Sequence, residues 1–214
     1  MCWRPLILVA VRPSLLYRIA ALLSVPFLRF VFRLETHGKE HVPREGGFVL
    51  AANHNSNFDP WPLGLPVWPR RQLYFMAKVE LFNPVLAPLL RAAGAFPVRR
   101  GERDEQAIQT AVELCRAGHC VVMFPEGTRR RKGLRKKWEA RAHSGAARIA
   151  IEAGVPLIPA AIRGTDELRR LAKLRVDYGA PIPLDDLAGQ DIRDASREAT
   201  DRLMSEIHRL EFAQ

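Results

Sequence analysis

The residue types best suited to acid–base chemistry in this sequence are a histidine and an aspartate five positions apart, His54 and Asp59. They fall in the segment NHNSNFDP, residues 53–60, which directly follows an apolar run. A neutral imidazole takes a proton from a hydroxyl near neutral pH, and a carboxylate on its other nitrogen fixes the tautomer and stabilises the imidazolium. His54 is therefore a candidate general base oriented by Asp59. Taken alone, the pair is more simply explained as a surface loop with a capping aspartate.

The residues around Asp59 indicate how the pair could meet. Side chains five positions apart on a regular helix do not face each other, so a turn over residues 55–58 must return Asp59 toward His54. Proline suits the first position of a helix, and the residue before a proline avoids the helical backbone region. We therefore expect a helix to begin at Pro60 with Asp59 as its cap. Ser56 is a conceivable covalent nucleophile, but a turn residue is the simpler interpretation.

A second polar segment, FPEGTRR at residues 124–130, also follows an apolar run. Gly127 allows a sharp backbone turn or a close approach to a ligand. Arg129 offers a planar fork that suits phosphate, and the Thr128 hydroxyl can donate to the same group. Glu126 could orient that arginine or bind an acceptor hydroxyl. On these residues alone, a charged turn between a strand and a helix is an equally good interpretation.

The elements that must position these residues alternate along the chain. Short apolar runs predict strands at residues 48–52, 73–77, 95–98, 120–124, 157–162 and 174–178, with Pro97 indicating an edge. Helical periodicity predicts helices at 102–117, 140–153 and 192–210, with Gly118 and Gly154 at the ends of the first two. This order predicts an α/β fold with a mainly parallel or mixed sheet covered by helices on both faces. In such folds the ligand-binding and catalytic residues lie at the carboxyl ends of the strands.

The first 33 residues differ from the rest, because apolar residues alternate there with arginines. The longest uncharged run, 19–28, is shorter than the roughly 20 residues that a membrane-spanning helix needs, and Pro13 and Pro26 would break or kink a helix. We expect residues 1–33 to form one or two helices lying in a membrane interface, followed by the α/β domain at 34–214. The alternative is a helix packed on the core of the domain.

The amino-acid composition indicates which kinds of partner the protein binds and in which cellular compartment it folds. The 214 residues carry 33 Lys and Arg against 23 Asp and Glu, so the formal net charge of +10 predicts an anionic partner: nucleic acid, an anionic bilayer or a phosphorylated substrate. Three cysteines without CxxC spacing argue against a disulfide framework and against a zinc site. Cys115 and Cys120 lie in apolar stretches and are expected to be packed thiols in a reducing cytoplasm.

Further blocks accompany the two polar segments in a consistent order. They are MAKVELF at residues 76–82, GAFPVRR at 94–100 and VPLIP at 155–159. Together, from about residue 34 to 162, the blocks resemble the 1-acylglycerol-3-phosphate acyltransferase family, within the glycerolipid acyltransferases and their His-x4-Asp motif. The sequence departs from the family at Arg99, in an unusually basic run at 129–141 and beyond Ile162. These departures leave the identity of the acceptor open.

The resemblance implies transfer of a fatty acyl group from acyl-CoA or acyl-carrier protein to the hydroxyl of 1-acyl-sn-glycerol-3-phosphate, making phosphatidic acid in phospholipid biosynthesis. It implies His54 as the base and Asp59 as its orienting group, without a covalent acyl-enzyme, a metal or another bound cofactor. Arg100, Arg129 and Lys78 would hold the acceptor phosphate, while Glu126, Gly127 and Thr128 would shape its pocket. The acceptor could instead be another lysophospholipid or an amine-bearing lipid.

The basic run at 129–141 suits an anionic bilayer, acyl-carrier protein or the phosphates of CoA, and a solvated charged loop is the plain alternative. We expect a peripheral or monotopic enzyme on the cytoplasmic face of the cell membrane, with lysophosphatidic acid as its acceptor. A nucleic-acid-binding protein is the main rival class, but the sequence contains no recognisable nucleic-acid motif. A membrane scaffold without catalysis would leave the chemistry of His54 and Asp59 unused.

Overall fold

The computed structural model describes residues 13, 15–65, 68, 71–99, 104–127 and 142–213. The strands are β1 (Glu35–His37), β2 (Phe48–Ala52), β3 (Leu73–Lys78), β4 (Ala95–Val98), β5 (Cys120–Met123), β6 (Leu157–Arg163) and β7 (Arg175–Tyr178). The helices are α1 (Leu15–Val31), α2 (Pro60–Gly64), α3 (Ala87–Ala92), α4 (Glu105–Arg116), α5 (Gly145–Ala153) and α6 (Ile192–Phe212). Short 3-10 turns at 39–41, 79–81, 165–170 and 185–187 connect some of them.

The strands form one seven-stranded sheet in the order β1-β7-β6-β2-β5-β3-β4. Neighbouring strands are parallel except for β6 and β7, which are antiparallel. The central strand β2 lies between β5 and β6, and every residue from Phe48 to Ala52 is buried. The carboxyl ends of β2, β3, β5 and β6 therefore meet at the same edge of the sheet. The predicted mainly parallel or mixed α/β sheet is confirmed.

Each face of the sheet has its own apolar core, because successive side chains of a strand point to opposite faces. On one face, Val49 and Ala51 of β2 pack in a cluster with buried residues of α4, α5 and α6. On the other face, Phe48 and Leu50 pack with Leu63 of α2 and with neighbouring strands. Helices thus cover both faces, as the alternating pattern predicts.

Helix α1 has one buried side and one exposed apolar side. Tyr17, Ala21 and Leu28 are buried in a cluster that includes Leu65 and Leu174, so this side packs on the domain itself. The opposite side exposes large apolar residues: Leu15, Leu16, Ile19, Leu22, Leu23, Phe27 and Phe30. Over the described residues, no helix combines the length and the hydrophobicity needed to cross a membrane.

The described part of the N-terminal segment supports the alternative, a helix packed on the core, and leaves the interfacial role a prediction. The part of residues 1–33 that the structure describes contains a single helix that contacts the core, so packing on the domain accompanies any interfacial role. Helix α1 also runs through Pro26 without ending there. Packing of one side of α1 on the domain stabilises the helix at Pro26, where a proline would otherwise interrupt it. The remainder of the predicted segment, residues 1–12, lies outside the described residues.

Predicted strand bounds agree with the structure to within a residue, and β4 lies at the edge that Pro97 indicates. Helix α5 begins at Gly145 rather than at residue 140, since residues 142–144 are not helical. Strand β1 was not predicted, because its sequence ETH lacks an apolar run. It forms through parallel pairing with β7, from Glu35↔Arg175 to His37↔Asp177.

Candidate active site

His54 stands just past the carboxyl end of β2, and the preceding residue fixes that end to β6. Asn53 is fully buried; its Nδ2 donates to the Ile162 carbonyl at 2.9 Å, and its Oδ1 accepts from the Ile162 N–H at 2.8 Å. The Nδ2 of Asn55 donates to the same carbonyl at 3.0 Å. The asparagines on both sides of His54 therefore fix the backbone of this segment against the neighbouring strand.

The turn that follows brings His54 and Asp59 into direct contact. His54 Nδ1 lies 2.8 Å from Asp59 Oδ2, and the two side chains are 6% and 0% exposed. A carboxylate only accepts hydrogen bonds, so the proton of the neutral ring resides on Nδ1 and Nε2 is left as the basic nitrogen. This arrangement suits an imidazole that accepts a proton from a substrate hydroxyl.

Asp59 also organises the backbone of its own turn. Its Oδ2 accepts from the N–H of Asn55 at 2.7 Å and of Ser56 at 2.8 Å, while its own N–H donates to the Ser56 carbonyl at 3.2 Å. The other oxygen, Oδ1, accepts from the Thr165 hydroxyl at 2.6 Å. A carboxylate at 0% exposure is thus supplied with hydrogen-bond donors at both oxygens, as a buried charge requires.

Asp59 stands at the N-cap position of α2, as expected. Helix α2 does begin at Pro60, but the Asp59 carboxylate makes no capping bond to it and turns back toward residues 54–56. The backbone of Asp59 is helical, with φ −52° and ψ −41°, despite the following proline. The hydrogen bonds that converge on the carboxylate outweigh the local preference of a residue before proline.

The segment after β5 contacts the histidine ring from the other side. The rings of Phe124 and His54 stack with their centroids 4.1 Å apart. The Gly127 N–H donates to the Phe124 carbonyl at 2.9 Å, which closes a tight turn, and Gly127 has φ +67°. A Cβ on Gly127 would lie 2.5 Å from the ring of His143, so the close neighbour of this glycine is a side chain of the protein itself.

The remaining predicted site residues are partly described. Lys78 ends β3 and is exposed, and β3 is separated from β2 by β5. Two strand spacings place Lys78 about 10 Å from the end of β2. Glu126 is half-buried in the turn after β5. Arg100, Thr128 and Arg129, together with the whole basic run at 129–141, lie outside the described residues.

Two contacts of the site were missed from the sequence: the stacking of Phe124 on His54 and the bond from Thr165 to Asp59. A signal for both was present, because Phe124 ends one predicted strand and Thr165 lies shortly after another. In a parallel sheet those ends share an edge with the end of β2. Without the strand order, the sequence does not show that Phe124 contacts His54 or that Thr165 contacts Asp59.

A cavity of about 220 Å³ lies beside the turn that joins His54 to Asp59. Its lining is mostly apolar and comes from α1, the turn, α2, β3 and the end of α3: Tyr17, Asn57, Phe58, Pro60, Trp61, Leu73, Phe75 and Ala93. His54 itself is not among the lining residues, although the lining residues Asn57 and Phe58 belong to the turn that it begins. The cavity is thus an apolar space adjoining the histidine–aspartate turn.

Cys115 and Cys120 are packed thiols, as the sequence indicates. Burial raises the pKa of Cys115 and of Cys120 to about 12, which keeps both neutral at physiological pH. In the part of the chain that the structure describes, no group of three or more His, Cys, Asp or Glu side chains is arranged to hold a metal ion.

The class of this protein is thus an α/β fold with a buried imidazole–carboxylate pair at the carboxyl edge of a mainly parallel sheet. Comparison with known proteins makes the assignment specific. A family model described as Acyltransferase matches residues 33–163. The 1-acyl-sn-glycerol-3-phosphate acyltransferase of Bacillus subtilis (strain 168) is 32% identical over 182 residues, covering 83% of this chain and 88% of the relative.

Other relatives agree. The protein with the same name from Streptococcus pneumoniae is 30% identical over 182 residues, covering 82% of this chain and 65% of its own. The crystal structure of a 1-acyl-sn-glycerophosphate acyltransferase from Thermotoga maritima has a similar fold, with a TM-score of 0.60 at 24% identity over 85% of this chain and 73% of that one. The chain belongs to the acyltransferase family and is a 1-acylglycerol-3-phosphate acyltransferase-like enzyme.

Proposed function

We propose that this enzyme transfers a fatty acyl group from a thioester donor, acyl-CoA or acyl-carrier protein, to the hydroxyl of 1-acyl-sn-glycerol-3-phosphate. The product is phosphatidic acid. The observation that carries the proposal is the buried contact of 2.8 Å between His54 Nδ1 and Asp59 Oδ2, found in a member of the acyltransferase family. The names of the relatives support the acceptor, since they are called 1-acyl-sn-glycerol-3-phosphate acyltransferases.

In the proposed mechanism His54 Nε2 accepts the proton of the acceptor hydroxyl while its oxygen attacks the thioester carbonyl. The new ester bond forms as the carbon–sulfur bond breaks, and the proton on the imidazolium passes to the leaving thiolate. Asp59 stabilises the imidazolium between these steps. No acyl-enzyme is needed because the acceptor itself is activated. The ordinary turn role of Ser56 agrees with this, since its N–H donates to Asp59 and its Oγ accepts from the Phe58 N–H at 3.3 Å.

The acceptor phosphate is proposed to bind cationic side chains at the carboxyl edge. Lys78 is exposed there, about two strands from β2, and Arg100 and Arg129 follow β4 and β5 in sequence. Gly127 and Thr128 would shape the pocket between them, with Glu126 orienting an arginine. The basic run that follows could contact the anionic headgroups of the bilayer or the phosphates of the donor. Among cofactors and metals, this mechanism uses none.

The apolar cavity beside the turn is proposed to hold an acyl chain. Phe58, Trp61, Leu73 and Phe75 give it an apolar wall, and it adjoins the turn that carries the base. Burial of methylene groups there contributes about 0.8 kcal/mol each, which favours a chain that fills the space. The depth of the cavity would then influence which chain lengths are accepted.

The exposed apolar side of α1 is proposed to lie in the membrane interface on the cytoplasmic side of the cell membrane. Its apolar residues project outward while Tyr17 on the opposite side lines the cavity, so one helix adjoins both the proposed lipid surface and the proposed chain site. The formal net charge of +10 favours an anionic bilayer. The attachment would be peripheral or monotopic.

The test is a transfer assay with the purified protein, both thioester donors and a panel of lysolipids, read by mass spectrometry. The lysolipid panel contains 1-acyl-sn-glycerol-3-phosphate, neutral and zwitterionic lysolipids and an amine-bearing lipid. We expect phosphatidic acid as the main product. A clear preference for an unphosphorylated acceptor would overturn the acceptor assignment while leaving acyl transfer in place.

His54→Ala tests the base. A general base contributes about 10²–10⁴-fold, so we expect a loss of that size in turnover with unchanged circular dichroism. His208→Ala on α6 is the matched control, because His208 is exposed and lies on a different element. Near wild-type turnover by the His54→Ala variant would show that His54 is not the general base.

A further inference from the structure

The second oxygen of the catalytic carboxylate is held by a residue from a distant part of the chain. The Thr165 hydroxyl donates to Asp59 Oδ1 at 2.6 Å, across a sequence separation of 106 residues. Thr165 is 2% exposed and Asp59 is 0% exposed. Thr165 follows Gly164, which has φ +86° and turns the chain directly after β6. The Thr165 hydroxyl therefore lies just after β6, the strand that pairs with β2.

The two oxygens of Asp59 have different partners. Oδ2 accepts from His54 Nδ1 and from the N–H groups of Asn55 and Ser56, all within the catalytic turn. Oδ1 accepts from Thr165, outside that turn. Rotation of the carboxylate about its Cβ–Cγ bond would break both sets at once. Because Asp59 is fully buried, water does not replace a missing hydrogen-bond donor. Loss of the Thr165 hydroxyl would therefore leave Asp59 Oδ1 without this hydrogen bond.

We propose that Thr165 is a positioning residue for the His54–Asp59 pair. Its hydroxyl anchors Oδ1, which keeps Oδ2 directed at His54 Nδ1 and preserves the negative charge that the imidazolium requires during turnover. The inference rests on the proposed function of the pair. It extends the catalytic arrangement to the end of β6, since Asn53 and Asn55 fix the His54 segment to Ile162 of the same strand.

A purely packing role for Thr165 makes the opposite prediction, and two substitutions separate the roles. Thr165→Val keeps the shape of the side chain and removes the hydroxyl. Thr165→Ser keeps the hydroxyl and removes the methyl group. A positioning hydroxyl requires Ser to work and Val to fail, whereas a packing methyl requires the reverse.

The experiment measures kcat and KM for both substrates in the full-length enzyme. We expect Thr165→Val to lower kcat about 10- to 100-fold, the range for a lost hydrogen bond to a charged group, with both KM values within about twofold of wild type. Thr165→Ser is expected to retain kcat within about threefold. The matched control is Thr200→Val on α6, another buried threonine, whose hydroxyl donates to the Ser196 carbonyl at 2.6 Å; its kcat should not change.

A readout independent of turnover is the proton NMR signal of the His54 Nδ1–H. It should appear downfield in the wild-type enzyme and in Thr165→Ser, and should shift or broaden in Thr165→Val. Normal kcat and an unchanged signal in Thr165→Val, or loss of activity in Thr165→Ser alone, would overturn the proposal. So would a rise in KM at constant kcat, which would mean that Thr165 serves substrate binding.

The failure of this inference is distinguishable from the failure of the proposed function. If His54→Ala abolishes transfer while Thr165→Val does not, the general base stands and the positioning role falls. If His54→Ala is fully active, the role of the pair falls, and that of Thr165 falls with it. In the Asp59→Asn background, Thr165→Val should cause little further loss of kcat, because the charge that it positions is already absent. An additive loss would contradict the proposal.

Discussion

At the scale of single residues, Asp59 joins the local and the distant parts of the site. Its carboxylate binds the turn that it closes, through Asn55 and Ser56, and also binds Thr165 after β6. Each oxygen of a buried carboxylate needs donors, and these donors come from both sources. Its orientation toward His54 is thus a property of two neighbouring strands rather than of the turn alone.

Gly127 gives a prediction at the same scale. Its φ of +67° disfavours any residue with a Cβ, and that Cβ would lie 2.5 Å from the His143 ring. We expect Gly127→Ala to lower the free energy of unfolding by about 1–2 kcal/mol from the left-handed backbone alone, and by more from the clash. Urea denaturation measures the change.

The double variant Gly127→Ala/His143→Ala separates these two causes. Removal of the ring should recover the part of the loss that comes from the clash and leave the backbone part in place. Equal stability of Gly127→Ala and the wild-type protein would contradict the positive φ at this turn.

At the scale of elements, Asp177 holds together three strands at one side of the sheet. It lies on β7 and contacts His37 of β1 at 2.8 Å, Arg163 of β6 at 2.7 Å and Arg175 of its own strand at 2.9 Å. Arg163 also donates to the Ala213 carbonyl after α6. Burial opposes ionisation of Asp177, but the hydrogen bonds from His37, Arg163 and Arg175 outweigh it and lower its pKa.

Because the pKa of Asp177 is lowered on folding, the unfolded chain takes up the proton at the higher pH. The stability from this group is therefore fully present above its ordinary pKa of 3.8 and is lost as the pH falls through the lower folded value. We expect Asp177→Asn to destabilise the protein by about 1–2 kcal/mol at pH 7. The difference from wild type should shrink below about pH 4.

Denaturation midpoints across this pH range test the prediction. Asp186→Asn is the control, since Asp186 also pairs with an arginine, Arg202, but is exposed to solvent, so little change is expected. A difference between Asp177→Asn and wild type that is independent of pH would contradict the assignment of the effect to ionised Asp177.

The cavity between α1, the turn and the end of α3 gives a second prediction for elements. Ala93 follows α3 and lines the cavity. We expect Ala93→Phe to fill part of the space and to shift preference toward shorter acyl donors, with at least a threefold fall in relative kcat/KM for long chains. Competition between donors of different length, read by mass spectrometry, measures the shift.

Ala117→Phe is the matched control, because Ala117 follows α4 in the same way and is exposed. Its donor preference should equal that of the wild-type enzyme. An unchanged preference in a folded Ala93→Phe variant would show that the acyl chain lies elsewhere.

At the scale of the whole molecule, one group of exposed large apolar residues lies on one side of α1, and a second lies between Val79 and Leu89. Leu23 is 70% exposed and Phe30 is 81% exposed, although neither residue has a role in the described core. A cationic protein with such a surface, whose proposed acceptor is a lipid, is suited to the proposed position at an anionic membrane interface.

We expect Leu23→Asp/Phe30→Asp to weaken binding to vesicles that contain an anionic phospholipid by about 10-fold or more per side chain, since each loses the burial of a large apolar group. Vesicle sedimentation measures the affinity. Phe212→Asp is the control, because Phe212 is 79% exposed on α6, a helix of the opposite face of the sheet; its binding should not change. Equal binding by all variants would contradict the proposed orientation.

The sequence by itself determined much of this protein. The continuous apolar run at Phe48–Ala52 predicted the central strand, because a strand buried on both faces needs no polar alternation. The polar segments after two strands predicted where side chains would meet at the edge of the sheet, and the spacing of His54 and Asp59 predicted that this pair could meet across a turn. These inferences succeed because apolar patterning and turn chemistry act over a few neighbouring residues.

The tertiary structure decided the rest. Strand β1 is too polar to predict and exists through its pairing with β7. The direction of the Asp59 side chain depends partly on Thr165, more than a hundred residues away. Likewise, packing against the domain decides which side of α1 is buried. Contacts between distant segments arise only when the layers pack and the strands take their order, and no local pattern in the chain specifies that order.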